Sequence, residues 1–192
     1  MALKLILYEW GNRMSEEKIF VFLDVDGVLN APSIMERTPS GYIGIYPPKV
    51  KLLAEIIQKT NAKIILTSSW RICWPDGIKT QPDADGQYLV DALAKENLEI
   101  SDFVVSFRNR GTAIREYVQE HEHDHWVVLD DESFDFAESG ILDHLCKTDY
   151  RSGLDEDDVK TAIQILTTDM PDFRDRKEAL GGILGHHFGR EL

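Results

Sequence analysis

Two aspartates, Asp24 and Asp26, stand one residue apart at the end of the apolar run Ile19-Phe20-Val21-Phe22-Leu23. A second run, Lys63-Ile64-Ile65-Leu66, stops at Thr67-Ser68-Ser69, and a third, Trp126-Val127-Val128-Leu129, stops at Asp130-Asp131. If these runs ended at one rim, four carboxylates and several hydroxyls would converge there. Carboxylates so placed repel one another unless a cation sits among them. Oxygen ligands without His or Cys point to a hard ion, and Mg²⁺ is the usual one. An ion held by a few carboxylates keeps positions open for water and a substrate phosphate. One aspartate can then attack phosphorus, and Asp24, the first residue to leave its run, is best placed to do so. Asp26, in a turn that Gly27 allows, would protonate the leaving oxygen and later deprotonate the hydrolytic water. Thr67 can donate its hydroxyl to the phosphoryl oxygens with help from the Ser68 backbone. The charge of a loose transition state also calls for a cation opposite the metal. Arg110, just before Gly111, is the first candidate and Arg108 the second.

The elements around these residues must bring them together. Continuous apolar runs suit strands buried on both faces of a parallel sheet. Between them the pattern predicts helices: residues 48–60, with Val50, Leu53, Ala54 and Ile57 at helical spacing; residues 87–96; and Gly111 to about Glu120. Phe103-Val104-Val105 reads as a third strand, Trp126 to Leu129 as a fourth, and Leu142 to Thr148 as a weaker fifth. A last helix from Asp155 to Leu166 carries Val159, Ala162, Ile163 and Leu166 on one face and acids in its first turn. Strands alternating with helices give an α/β sandwich whose ligands bind beyond the carboxyl ends of the strands. The polar ends of strands one, two and four are then expected at one rim.

Length and charge narrow the classes. At 192 residues the chain fits one compact domain, and no apolar run reaches the ~20 residues of a membrane span. Two cysteines, Cys73 and Cys146, are too few for a disulfide framework, so a reduced cytoplasmic setting is expected. The formal net charge of −13 disfavours general nucleic-acid binding and leaves room only for a local basic feature. Arg37, Arg71, Lys79 and Arg108 are candidates for it. Residues 1–17 read as an N-terminal extension, with Met14 a natural start of the segment leading into the first strand. Residues 18–166 read as the functional domain and 167–192 as a tail or docking helix.

FLDVDGVLN at 22–30, ILTSSWR at 65–71, RG at 110–111 and VVLDDES at 127–133 resemble the four ordered motifs of the haloacid dehalogenase (HAD) superfamily. The TSSWR string and the segment Thr148-Asp149 to Gly153-Leu154 resemble the HAD domains of bacterial and phage RNA-repair proteins. The resemblance implies a three-layer Rossmann-like sandwich, mostly parallel, with strand order 5-4-1-2-3. It implies nucleophile Asp24, acid/base Asp26, phosphate ligands Thr67, Ser68 and Arg110, and Mg²⁺ on Asp24, Asp130 and the Asp26 carbonyl, with Asp131 joining directly or through water. Motif three is most often Lys, and Arg supplies a planar fork instead of a point charge. Asp at position 26 is the phosphatase pattern.

Neither the 31–62 gap nor the 72–107 gap holds a full cap domain, so the site is expected to be capless or minimally capped. An open site suits a large substrate such as a polynucleotide end. A nucleotidase acting on free nucleoside monophosphates and a non-catalytic HAD-fold binding module are the competing readings. Trp70 and Trp74 are expected to pack beneath the second loop in preference to forming a stacking platform. His121, His123 and His125 read as a solvated loop away from the rim, and His186 and His187 as incidental to function.

Overall fold

A computed structural model describes residues 18–105 and 109–169. Five strands form one sheet: β1 (Ile19–Leu23), β2 (Lys63–Leu66), β3 (Ile100–Phe103), β4 (His125–Asp130) and β5 (Leu145–Lys147). Their order is β3-β2-β1-β4-β5 and all neighbours pair parallel, the order that the resemblance implies. Four helices connect them: α1 (Pro47–Thr60), α2 (Ala84–Ala94), α3 (Arg110–Glu120) and α4 (Glu156–Thr167).

The pleat sorts the side chains into two cores. Val21, Leu23, Ile64, Leu66, Val127 and Leu129 face Leu53 of α1, Leu89 of α2 and Ala162 of α4. Phe20, Phe22, Ile65, Trp126 and Val128 face Ile114 and Val118 of α3. Every residue of β1 is buried, as expected of a central parallel strand. The result is a three-layer α/β sandwich.

Four boundaries differ from expectation. β3 lies at 100–103, not 103–105: it is the edge strand, half-exposed and with an irregular register against β2, so it needs no apolar run. Val104 still donates to the Leu66 carbonyl at 2.9 Å, but Val105 is 70% exposed. α2 begins at Ala84 because the Asp83 carboxylate caps it, accepting from Asp85 and Gly86 at 2.9 Å. The fifth segment divides into a 3-10 turn, Leu142–His144, and the short β5. Asp155, read as helical, is the N-cap of α4 and forms a capping box with Asp158.

Among the described residues no helix is long and apolar enough to cross a membrane. The N-terminal extension, Arg108, His186 and His187 lie outside the described residues.

Candidate active site

Register decides which residues meet. Leu23 is paired with Leu66 on one side and Leu129 on the other, so the residues that follow, Asp24, Thr67 and Asp130, emerge at one level. The next backbone bonds hold that level: Asp24 donates to the Leu129 carbonyl and Thr67 to the Leu23 carbonyl, both at 2.9 Å. Asp24, Thr67, Ser68 and Asp130 are all buried, and Asp26 is exposed at the mouth.

Three carboxylates, those of Asp24, Asp130 and Asp131, each offer an oxygen within 4.8 Å of the others. Arg110, the first residue of α3, reaches into this group. Its guanidinium pairs with Asp24 Oδ2 at 2.9 Å and with Asp130 Oδ2. It also lies over the Phe134 ring, 4.3 Å from the centroid. Burial opposes the Arg110 charge, yet Asp24 and Asp130 hold its pKa above the ordinary value. The same crowding works against the acids. Burial first, and the Asp24 charge second, push both Asp130 and Asp131 upward. One guanidinium therefore does not balance the cluster, and its all-oxygen donor set fits a hard divalent cation.

Asp26 is oriented differently. Its Oδ1 accepts from the Asn30 amide at 2.8 Å and its Oδ2 from the Trp70 indole N–H at 3.0 Å. The carboxylate is thus held out of the metal-type trio and turned toward the opening. Trp70 and Trp74 are buried, and Trp74 packs edge-on to Phe103 at 5.0 Å, so packing is the main role of both. Trp70 additionally fixes Asp26, a contact that no local sequence pattern signals.

Thr67 has the most informative hydroxyl. Its Oγ1 is buried with no hydrogen-bond partner among the described residues. Leaving such a group unsatisfied costs about 1–3 kcal/mol, so a ligand oxygen is its natural partner. Ser68 caps the following 3-10 turn, Ser69–Cys73, and its carbonyl accepts from the Arg71 guanidinium at 2.9 Å. Arg71 is buried near Asp24 and Arg110; burial and then Arg110 lower its pKa, with Asp24 acting the other way. It brings a second guanidinium to this rim. Arg37, by contrast, bonds the Ile34 and Glu36 carbonyls in the loop after β1, and Lys79 is exposed.

Two supports were not legible as site residues. Asp135 lies beyond β4, yet its carboxylate accepts from the Gly111 and Thr112 backbones at 2.7 and 2.9 Å and from the Thr112 hydroxyl at 2.7 Å. It anchors the end of α3 that carries Arg110. The Thr148–Leu154 segment braces the first loop from below: Thr148 Oγ1 donates to the Gly27 carbonyl at 2.7 Å and Leu154 to the Val28 carbonyl at 2.9 Å. Gly153, at φ +69, permits that approach, because a Cβ would lie 2.9 Å from two carbonyl oxygens.

A family model described as the HAD domain in Swiss Army Knife RNA repair proteins matches residues 20–159. The chain belongs to this family. No curated protein matches it. The match encloses all the rim residues above, so this HAD domain carries its acidic cluster within the family's own span. Membership supports a phosphatase-like hydrolase that uses a divalent metal. His121 and His123 lie at the far, amino-terminal end of β4, where His121 is exposed and stacks on Tyr117. They take no part in this rim.

Proposed function

We propose that the protein is a Mg²⁺-dependent phosphomonoesterase that acts through an aspartyl-phosphate on Asp24, with polynucleotide ends as its substrates and residues 18–166 as its catalytic domain. The observation that carries the reading is the common level of Asp24, Asp130 and the unpartnered Thr67 hydroxyl. A phosphate there would meet a nucleophile, a hydroxyl donor and a cation together.

In the first step an Asp24 oxygen bonds phosphorus while the bond to the leaving oxygen breaks, and Asp26 donates a proton to that oxygen. In the second step Asp26 takes a proton from water, whose oxygen bonds phosphorus as the Asp24–phosphorus bond breaks. Thr67 Oγ1 and the backbone N–H of Ser68 bind the equatorial oxygens. Arg110 offsets their charge and holds Asp24 in place. Mg²⁺, on Asp24, Asp130, Asp131 and the Asp26 carbonyl, would neutralise phosphate charge and orient it for in-line attack. The tethers from Asn30 and Trp70 keep Asp26 on the leaving-group side.

Polynucleotide ends fit both the RNA-repair context of the family and an open rim with no inserted cap domain among the described residues. The two buried free thiols suit a reduced cytoplasmic setting.

The test is phosphate release from 3′- and 5′-phosphorylated oligonucleotides, nucleoside monophosphates and an aryl phosphate, with Mg²⁺ or with EDTA. Metal-dependent release that is fastest on an oligonucleotide and abolished by Asp24→Asn is expected. Faster turnover of mononucleotides would reassign the substrate, and no release from any ester would remove the enzymatic reading.

A further inference from the structure

Beside the Asp26 carboxylate the surface opens into a pocket of about 330 Å³. Asp26, Tyr42, Ile43, Trp70, Ile72 and Asp85 contribute to its lining. Its position relative to the chemistry is informative. On the reading above, Asp26 must touch the leaving oxygen, and both of its own oxygens are fixed by Asn30 and Trp70. A group attached to the leaving oxygen would then lie beside this pocket.

The lining then describes the occupant. Tyr42 is 68% exposed and Ile72 66% exposed, so both present apolar surface to this pocket. They come from different loops, after β1 and after β2. Tyr42 does not stand on a loose loop: the Ser40 N–H donates to Asp85 Oδ1 at 3.0 Å, and the Tyr88 hydroxyl accepts from the Ile45 N–H at 3.0 Å and donates to Glu36 at 2.8 Å. The loop is thereby tied to α2. Among the described residues no cation lines the pocket, whereas two carboxylates do, so a second phosphate is disfavoured there and a neutral group is favoured. A planar, uncharged group meets these conditions, and a nucleobase is such a group. The volume is of the order a single small organic group such as a nucleoside fills.

We infer that this pocket receives the terminal nucleoside of a phosphorylated single-stranded polynucleotide end, its base lying against Tyr42 and Ile72. Trp70 forms the floor and acts on Asp26, not on the base. The inference rests on the phosphomonoesterase reading and adds where the strand end is recognised.

The experiment compares kcat/KM of the full chain, with Mg²⁺, on phosphorylated pentanucleotides whose terminal residue is either intact or abasic. Wild type is expected to prefer the intact end by roughly tenfold, the order expected for one base–aromatic stack. The double variant Tyr42→Ala, Ile72→Ala should lose that preference, and Tyr42→Phe, which keeps the ring, should retain it. Continued turnover of the abasic end by the double variant shows that the variant is folded. Equal turnover of both ends by wild type would overturn the inference and leave the phosphatase reading intact, as would a double variant that keeps the preference. A wild type that prefers a phosphotyrosine peptide to either oligonucleotide would also overturn it. Failure to hydrolyse any of these esters would overturn the phosphatase reading itself, and the inference with it.

Discussion

Each residue at this rim is constrained by a neighbour that a small change would disturb. Gly27 is the sharpest case. Its φ is +70, and a Cβ there would lie 2.4 Å from Asp131 Cγ, closer than any relaxed contact. Gly27→Ala therefore has to displace Asp131 or strain the turn that carries Asp26. Supporting contacts of this kind change metal affinity by about 10–100-fold when lost. We expect Gly27→Ala to weaken Mg²⁺ binding by about tenfold or more, read from the Mg²⁺ dependence of turnover. Unchanged Mg²⁺ affinity would separate Asp131 from the metal. Phe134 shows a second constraint: its φ is +33, rare for a bulky residue, and its ring backs the Arg110 guanidinium. Arg at motif three is thus matched by an aromatic face that a Lys would use less well.

At the scale of elements, the helix that presents Arg110 depends on a residue from another loop. The Asp135 carboxylate takes three hydrogen bonds at the start of α3. Partial burial raises its pKa, but the bonds from Thr112 and Gly111 outweigh that and hold it below the ordinary value of 3.8. A depressed acid stabilises the fold fully above its unfolded value and loses that contribution as pH falls through the folded one. Asp135→Ala should cost about 1–2 kcal/mol near neutral pH, the scale of a lost helix cap. Denaturant midpoints should show the gap between wild type and variant closing as pH falls below 3.8. A gap independent of pH would contradict the capping role. The elements also show what was legible in advance. The buried run of β1, the helical spacing in α1 and the polar strand ends all announced themselves, because period and burial are local signals. β3 escapes that pattern because an edge strand needs no such run. Asp135 and the Trp70 bond to Asp26 were invisible, since each joins segments 23–44 residues apart through tertiary packing alone.

For the whole molecule, the sheet order explains why so many loops share one surface. Tyr42, Ile72, Val105, Phe134 and Tyr150, all exposed, follow the carboxyl ends of β1, β2, β3, β4 and β5 respectively. Tyr42, Ile72 and Phe134 thus bring apolar surface to the rim of a strongly acidic protein. Its net charge of −13 opposes long-range attraction to a polynucleotide, so on the proposed reading local contact with the strand end supplies the affinity. Basic nucleic-acid binders lose about 10³–10⁵ in affinity between 50 and 200 mM salt through counterion release. Here KM for an oligonucleotide should stay within about threefold over that range, or fall as repulsion is screened. A steep rise of KM with salt would instead reveal a basic binding face.

On the proposed mechanism Asp24 becomes phosphorylated, and Asp26→Asn allows this to be seen. An aryl phosphate leaves without a proton, so attack by Asp24 should survive the substitution, while hydrolysis of the acyl-phosphate loses its general base. A burst of one phenolate per Asp26→Asn molecule is expected, with a hydroxylamine-sensitive phosphoryl group on the peptide that contains Asp24. Phenolate release without a burst, with Asp24 unmodified throughout turnover, would contradict it.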